Sequence, residues 1–306
     1  MNESSCRARA LRDAIEPLAG QVYFAPECHA AYVRLGFAPG GTLGNVQTPG
    51  AAAYFTSRGA AMGQVYGSVV AAAFAVFEPN VVAAGVELGW SLTDAATIWQ
   101  ARATGAVAQL ERVLGPRPVG IERVTALLTR AVEPLRPEGR PLFAGMCSLD
   151  LPDSAIGRAW CLADRLREYR GDSHSSAWNA AGYHAAEIGL VGELVRGLPP
   201  RTYVRSRGWT TAQLDAAHAR LVDRGHVDDS GLTATGVQAR EHVEVATDRQ
   251  MRGAIEALGD DLDELVRLLT PWSAALLVDS YPNLTSADRL ASARIVNYET
   301  GRADDH

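Results

Sequence analysis

Apolar residues recur every three or four positions along most of the chain and almost nowhere alternate, a pattern that predicts a mostly α protein. Ala8, Leu11 and Ile15 mark one face of a first amphipathic helix over 7–16, which Pro17 is expected to end. Pro26 opens a second helix over 27–35, closed by Gly36, and the Gly/Pro/Thr-rich run 38–50 reads as a loop. A segment over 51–63 leads into a long apolar helix over about 64–77, stopped by Pro79. Thr93-Asp94 caps a helix that Gly115-Pro116 ends, and a further helix over 121–132 runs into a turn at 134–141.

The second half follows the same plan. Asp153-Ser154 caps a helix carrying 160–170, Gly171 interrupts it, and Ser173 caps the next, over 174–195. A Pro-containing connector at 197–207 precedes a helix over 212–224, two very short strands around a turn at 225–233, and a long helix from 235 to about 257. A last helix over 260–279 is expected to break or kink at Pro271, and 282–306 to be weakly ordered.

With 306 residues, 47% of them hydrophobic and 21% charged, the chain can build two ordinary domains or one large helical unit. Its longest apolar run, Val69 to Phe77, falls far short of the roughly 20 residues a bilayer span needs, and the arginine-bearing N-terminus lacks an apolar signal-peptide core. These features predict a cytoplasmic protein with no membrane partner. Cys6, Cys28, Cys147 and Cys161 share no C-x-x-C spacing, so they are expected to be free and mostly buried, with no metal site. All 29 basic residues are arginine, a bias typical of a GC-rich, actinobacterial type of genome. The formal charge of -6 argues against non-specific attraction to nucleic acid.

The densest candidate chemistry lies between Trp160 and Asn179. Asp164, Arg165, Arg167, Glu168, Arg170, Asp172 and His174 stand there among alanines, leucines and tryptophans that mark a buried helix. Burying so many charges is unfavourable unless each meets a partner or a ligand. His174 with Asp172 is a candidate proton-transfer pair; the alternative is that Asp172 or Ser173 caps a helix whose first turn holds His174. Arg167 and Arg170, three apart, share a face and are suited to clamp a carboxylate or phosphate, or else to pair with neighbouring acids. Tyr54, Trp160, Tyr169 and Trp178 are candidate aromatic walls of a pocket, and His29 and His184 are isolated histidines. No phosphate loop, H-E-x-x-H pair or nucleophile elbow occurs, which predicts no cofactor.

From Thr210 to Arg249 the expected order is helix, tight wing, helix, the layout of winged helix-turn-helix domains. Three segments carry a resemblance: Y-F-T-S-R-G-A-A-M-G from Tyr54 to Gly63, L-R-E-Y-R-G-D-S-H from Leu166 to His174, and S-R-G-W-T from Ser206 to Thr210. Through them, over roughly residues 20–280, the chain resembles an actinobacterial helix-turn-helix family of MarR-like, winged-helix proteins. It departs from that pattern at Gly59, Ala61 and Met62, and at Tyr169 and Ser173, so the ligand of other members need not carry over.

Two segments also resemble each other. Tyr54 to Gly59 with Gln64 aligns with Tyr203 to Gly208 with Gln213, and 101–116 aligns with 256–271. The two readings are chance similarity in an Ala/Arg/Leu-rich chain, or a duplication in which two MarR-like winged-helix halves form a single-chain pseudo-dimer. The second gives an N-terminal half over 1–140, a C-terminal half over 141–280 with its winged-helix unit at about 197–250, and a tail over 281–306. In that frame the first recognition helix, 60–77, bears no charge, while 210–236 holds Arg220 and Arg224 against Asp215, Asp223, Asp228 and Asp229. Such heads are poorly equipped to neutralise phosphates.

The expected protein therefore binds a small molecule in a cavity between the halves, lined by Arg58, Arg167, Arg170, Asp172, His174 and Arg207, as a monomer or homodimer. It reads as a cofactor-independent enzyme of specialised metabolism, with His174 moving a proton and the arginines holding an anionic or carbonyl oxygen. The alternatives are a ligand-responsive transcription regulator and a non-catalytic metabolite-binding or self-resistance protein.

Overall fold

A computed structural model describes residues 3–43, 46–198 and 200–281; the expectation for the 282–306 tail lies outside them. The chain is mostly helical. Its front part contains α1 (Glu3–Gly20), α2 (Pro26–Arg34), strands β1 (Thr42–Leu43) and β2 (Val46–Gln47), α3 (Ala51–Gly59), α4 (Gly67–Phe74), α5 (Pro79–Leu92), α6 (Ala95–Leu114), α7 (Ile121–Val132) and α8 (Pro141–Cys147). The rest contains α9 (Ala155–Ala180), α10 (Ala185–Val195), α11 (Thr211–Asp223), strands β3 (Val227–Asp228) and β4 (Gly231–Leu232), α12 (Ala234–Gln250), α13 (Arg252–Leu258) and α14 (Asp261–Ser280).

Local capping chemistry fixes many of these starts. Glu78, Asp94, Ser154 and Thr233 each accept a backbone N–H three residues on, and Thr210 and Gln213 form a reciprocal capping box at the head of α11. Several expectations fail for reasons the packing supplies. Pro17 does not end α1, and Pro271 lies inside α14; a proline forfeits one helical hydrogen bond, and α1 and α14 pack along each other with both flanks of Pro17 buried. The long helix expected over 64–77 is only α4, because Gly63 turns the chain at φ 79° and Gly67 lies so close to the Ala83 backbone that a Cβ would clash. The expected loop at 38–50 contains the β1–β2 hairpin, and α5 and α8 were not anticipated. Gly171 leaves α9 unbroken; the helix ends instead near Gly182, at φ 74°.

The buried apolar residues form two clusters that do not follow the expected boundary at residue 140. The larger takes side chains from α1 through the first half of α9 and adds Met251 to Tyr281. The smaller joins the end of α9, from Ala177, to α10, α11, β3 and α12. Helix α9 runs through the middle, touching α1, α6, α7, α8 and α12. All four cysteines are free, but Cys6 and Cys147 are exposed, against the expectation that most would be buried. Among the described residues no helix is long and apolar enough to cross a membrane.

Candidate functional site

Helix α9 is packed on nearly every side beyond Arg158, so Asp164, Glu168, Arg170, Asp172 and His174 are buried and must be answered by neighbours. Glu168 accepts Nε and Nη2 of Arg58 from α3, at 2.8 and 2.7 Å, and Nη1 of Arg167 at 3.1 Å. Arg167 also donates to Glu16 of α1 at 2.7 Å, and Arg170 donates to Glu244 and Asp248 of α12 at 3.1 and 3.2 Å. One turn deeper, Arg102 of α6 pairs with Asp164 at 2.9 Å and spreads its guanidinium over the rings of Tyr23 and Trp160.

Burial alone would push the Glu168 carboxyl up, but Arg58 and then Arg167 hold it down to about 2. Burial wins at Glu16 and Asp164, which are raised despite Arg167 and Arg102. Glu244 lies well below the usual carboxylate range, Arg240 and Arg170 outweighing its burial.

Between α1, α3, α4 and α9 these residues leave a cavity of about 80 Å³. Arg12, Arg58, Arg167, Arg170 and His174 form its polar wall with a single lining carboxylate, Glu16, while Tyr54, Phe74 and Phe77 supply the apolar side. Five of the residues singled out from sequence meet here: Tyr54, Arg58, Arg167, Arg170 and His174. Gly171 opens onto the same space.

The others are elsewhere. Asp172 and His174 do not face each other: Asp172 accepts the Phe143 N–H of α8 at 3.0 Å, whereas His174 Nδ1 meets the Thr247 hydroxyl of α12 at 3.1 Å. Two positions apart on a continuous helix, their side chains diverge by most of half a turn, so the expected proton-transfer pair is absent. Burial lowers His174 to about 3, Glu244 only partly opposing it, and burial raises Asp172 to about 7. Trp160 is a core residue stacked 6.1 Å from Trp99, and Tyr169 packs edge-on to Phe143 beneath Arg140. Arg167 and Arg170 are held by acids, which is the ion-network reading of that pair.

Sequence reasoning missed Arg12, Glu16, Glu244 and Asp248. The signal was present as spacing: Arg12 with Glu16, and Glu244 with Asp248, are each four apart on one helical face.

Arg207 is buried near the segment 74–77, over Phe77 at 4.7 Å and Tyr203 at 4.3 Å, and its guanidinium donates to the Tyr203 hydroxyl. Arg58 repeats the arrangement, donating to the Tyr54 hydroxyl at 3.3 Å and lying 4.5 Å over Phe74. Burial, opposed by Tyr54 and reinforced by Arg58, lowers Arg207 to about 9.

Helices α10 and α11, the β3–β4 hairpin and α12 follow one another in the order of a helix-turn-helix with a wing. Its second helix exposes Ala212, Asp215, Ala216, Ala219, Arg220 and Asp223, and the wing tip exposes Asp228 and Asp229. Arg220 pairs with buried Glu187, and Arg224 donates to the carbonyls of Ala181 and Gly182. A groove of about 680 Å³ separates α11 from α4, with Trp178 in its wall.

A family model described as a helix-turn-helix family matches residues 8–282, nearly the whole chain, and the chain belongs to that family. No curated protein and no solved structure matches.

Proposed function

We propose that this member of the helix-turn-helix family binds a small molecule, whose anionic end enters the arginine-walled cavity beside α9. The observation that carries the reading is the composition of that wall: four arginines and His174 against Glu16. At about 80 Å³ the space suits a carboxylate or phosphate group with few further atoms, since whole drug-sized ligands need roughly 300–1,000 Å³. The divergence of Asp172 from His174 and the depressed titration of His174 favour binding over acid–base catalysis. Native mass spectrometry of the purified protein tests the reading: a small acid released on denaturation, and lost in Arg167→Gln, is the expected result. A protein that carries nothing and shows no thermal shift with simple carboxylates or phosphates overturns it.

The duplicated, MarR-like pseudo-dimer remains our proposal for the scaffold's origin. It is supported by the paired Tyr–Arg–Phe arrangements of Tyr54, Arg58 and Phe74 and of Tyr203, Arg207 and Phe77. We take the halves to meet near residue 140 in sequence, although the buried clusters divide instead near Ala177. Against the duplication, 101–116 lies mostly within one helix, α6, while 256–271 spans the break between α13 and α14.

A second reading, a ligand-responsive DNA-binding regulator, is favoured by the family match and by the complete helix-turn-helix and wing of α10 to α12. The acidic wing tip and the alanines and aspartates on α11 count against it, because duplex affinity rests on cations facing phosphates. A low-salt gel shift on the protein's own upstream region decides: specific binding tighter than about 1 μM establishes the regulator.

A further inference from the structure

We infer that the groove between α4 and α11 is a second ligand site, divided from the arginine cavity by Phe77, for a flat aromatic molecule bearing an oxygen acceptor. The groove encloses about 680 Å³, within the roughly 300–1,000 Å³ of small-molecule sites. Phe77, Trp178 and Trp209 wall it, while Ala72 of α4 and Ala216 of α11 keep its faces shallow enough for a ring system to lie between them. No carboxylate lines it, and its one lining cation, Arg220, is already engaged by Glu187. The chemistry offered is therefore aromatic and hydrogen-bonding, with no carboxylate in the lining to pair with a charged ligand.

The decisive residue is Trp178. Tryptophan N–H groups usually find an acceptor when buried. Trp209 donates to the Val76 carbonyl at 3.0 Å, Trp90 to that of Val65 at 2.8 Å, and Trp160 to that of Ala19 at 3.4 Å. Trp178 is only 4% exposed, and its indole N–H is shut off from water with no acceptor among the described residues. A carbonyl or ether oxygen brought in along the groove is the partner this donor lacks, and because the N–H is sealed from water the indole must rotate toward the groove to meet it.

The test uses coumarin, a flat aromatic lactone, with naphthalene as a probe of similar shape and no oxygen. The readout is the ¹H–¹⁵N spectrum of the tryptophan indoles in the full chain, with Trp178→Phe assigning the Trp178 signal. Coumarin is expected to move that signal downfield and to bind about tenfold more tightly than to Trp178→Phe, as the loss of one hydrogen bond implies, whereas naphthalene leaves the signal's hydrogen-bonding shift unchanged. Ala216→Trp fills the groove from an exposed position and is expected to abolish the coumarin response while the other indole signals stay in place. A Trp178 signal that millimolar coumarin does not move, or equal coumarin binding by Ala216→Trp, overturns the site.

Discussion

On each side of the molecule a buried glutamate is shared by two arginines, and the two arrangements differ in one respect. Glu168 of α9 holds Arg58 and Arg167, whose side chains are 13% and 9% exposed; Glu187 of α10 holds Arg220 and Arg224, at 45% and 33%. In the first case both signs of charge are inside the protein. In the second only the acid is, and its partners stand half in water. A pair cut off from solvent depends on its geometry, whereas one with a wet partner has water to fall back on. The larger core is thus built around fixed charge, and the winged head around replaceable charge.

The largest expected effect is Glu168→Ala, which strands two buried guanidiniums and should cost about 3–5 kcal/mol in urea unfolding. Glu187→Ala should cost about 1–2 kcal/mol, for its arginines turn outward and the main loss is the hydrogen bond to the His184 N–H at the start of α10. Equal costs would erase the distinction between the two sides.

A second effect separates the sides by pH. Burial holds His174 at about 3 in the fold, against Glu244 and with Arg240, Arg170 and Arg196 adding to the depression, while an unfolded histidine titrates near about 6.5. Below that value the unfolded chain takes up a proton that the fold refuses, so this stability is present above about pH 6.5 and is lost as pH falls toward 3. His174→Asn should flatten the decline, the difference in unfolding free energy changing by about 1.4 kcal/mol per pH unit between about pH 4 and 6. Asp172, raised to about 7, works in the opposite direction but is common to both proteins and cancels.

The smallest effect compares how the two head helices end. Helix α11 stops at Gly225, φ 67°, where glycine costs nothing; α4 stops at Ala75, φ 46°, in a tight turn closed by Val76 N–H on the Phe74 carbonyl at 2.5 Å. Ala75→Gly should stabilise by about 0.5–1 kcal/mol in thermal unfolding, and no gain would mean that the turn carries no strain.

Much of the helical order was legible because amphipathic spacing and caps are local signals: 121–132 reads directly as α7, and Thr93-Asp94 marks the start of α6. The charges of 160–179 were legible as a buried, partnered cluster for a related reason, since charge inside an apolar pattern demands partners. Who those partners are was not, because Glu16 and Glu244 come from helices more than 70 residues away, brought to α9 by tertiary packing alone. The same packing carried α1 through Pro17 and α9 through Gly171, where residue-by-residue propensity predicts breaks. Asp172 and His174 do not pair because no break at Gly171 starts a new helix there, and two positions along a continuous helix point to different faces.

Helix α9 is a single rod of 26 residues, roughly 39 Å long, anchored in one core at its start and in the other at its end. The winged head and the body thus share one stretch of continuous helical backbone. His174 in the arginine cavity and Trp178 in the groove are one helical turn apart on it. A substitution that kinked α9 within that turn would therefore alter the walls of both spaces at once.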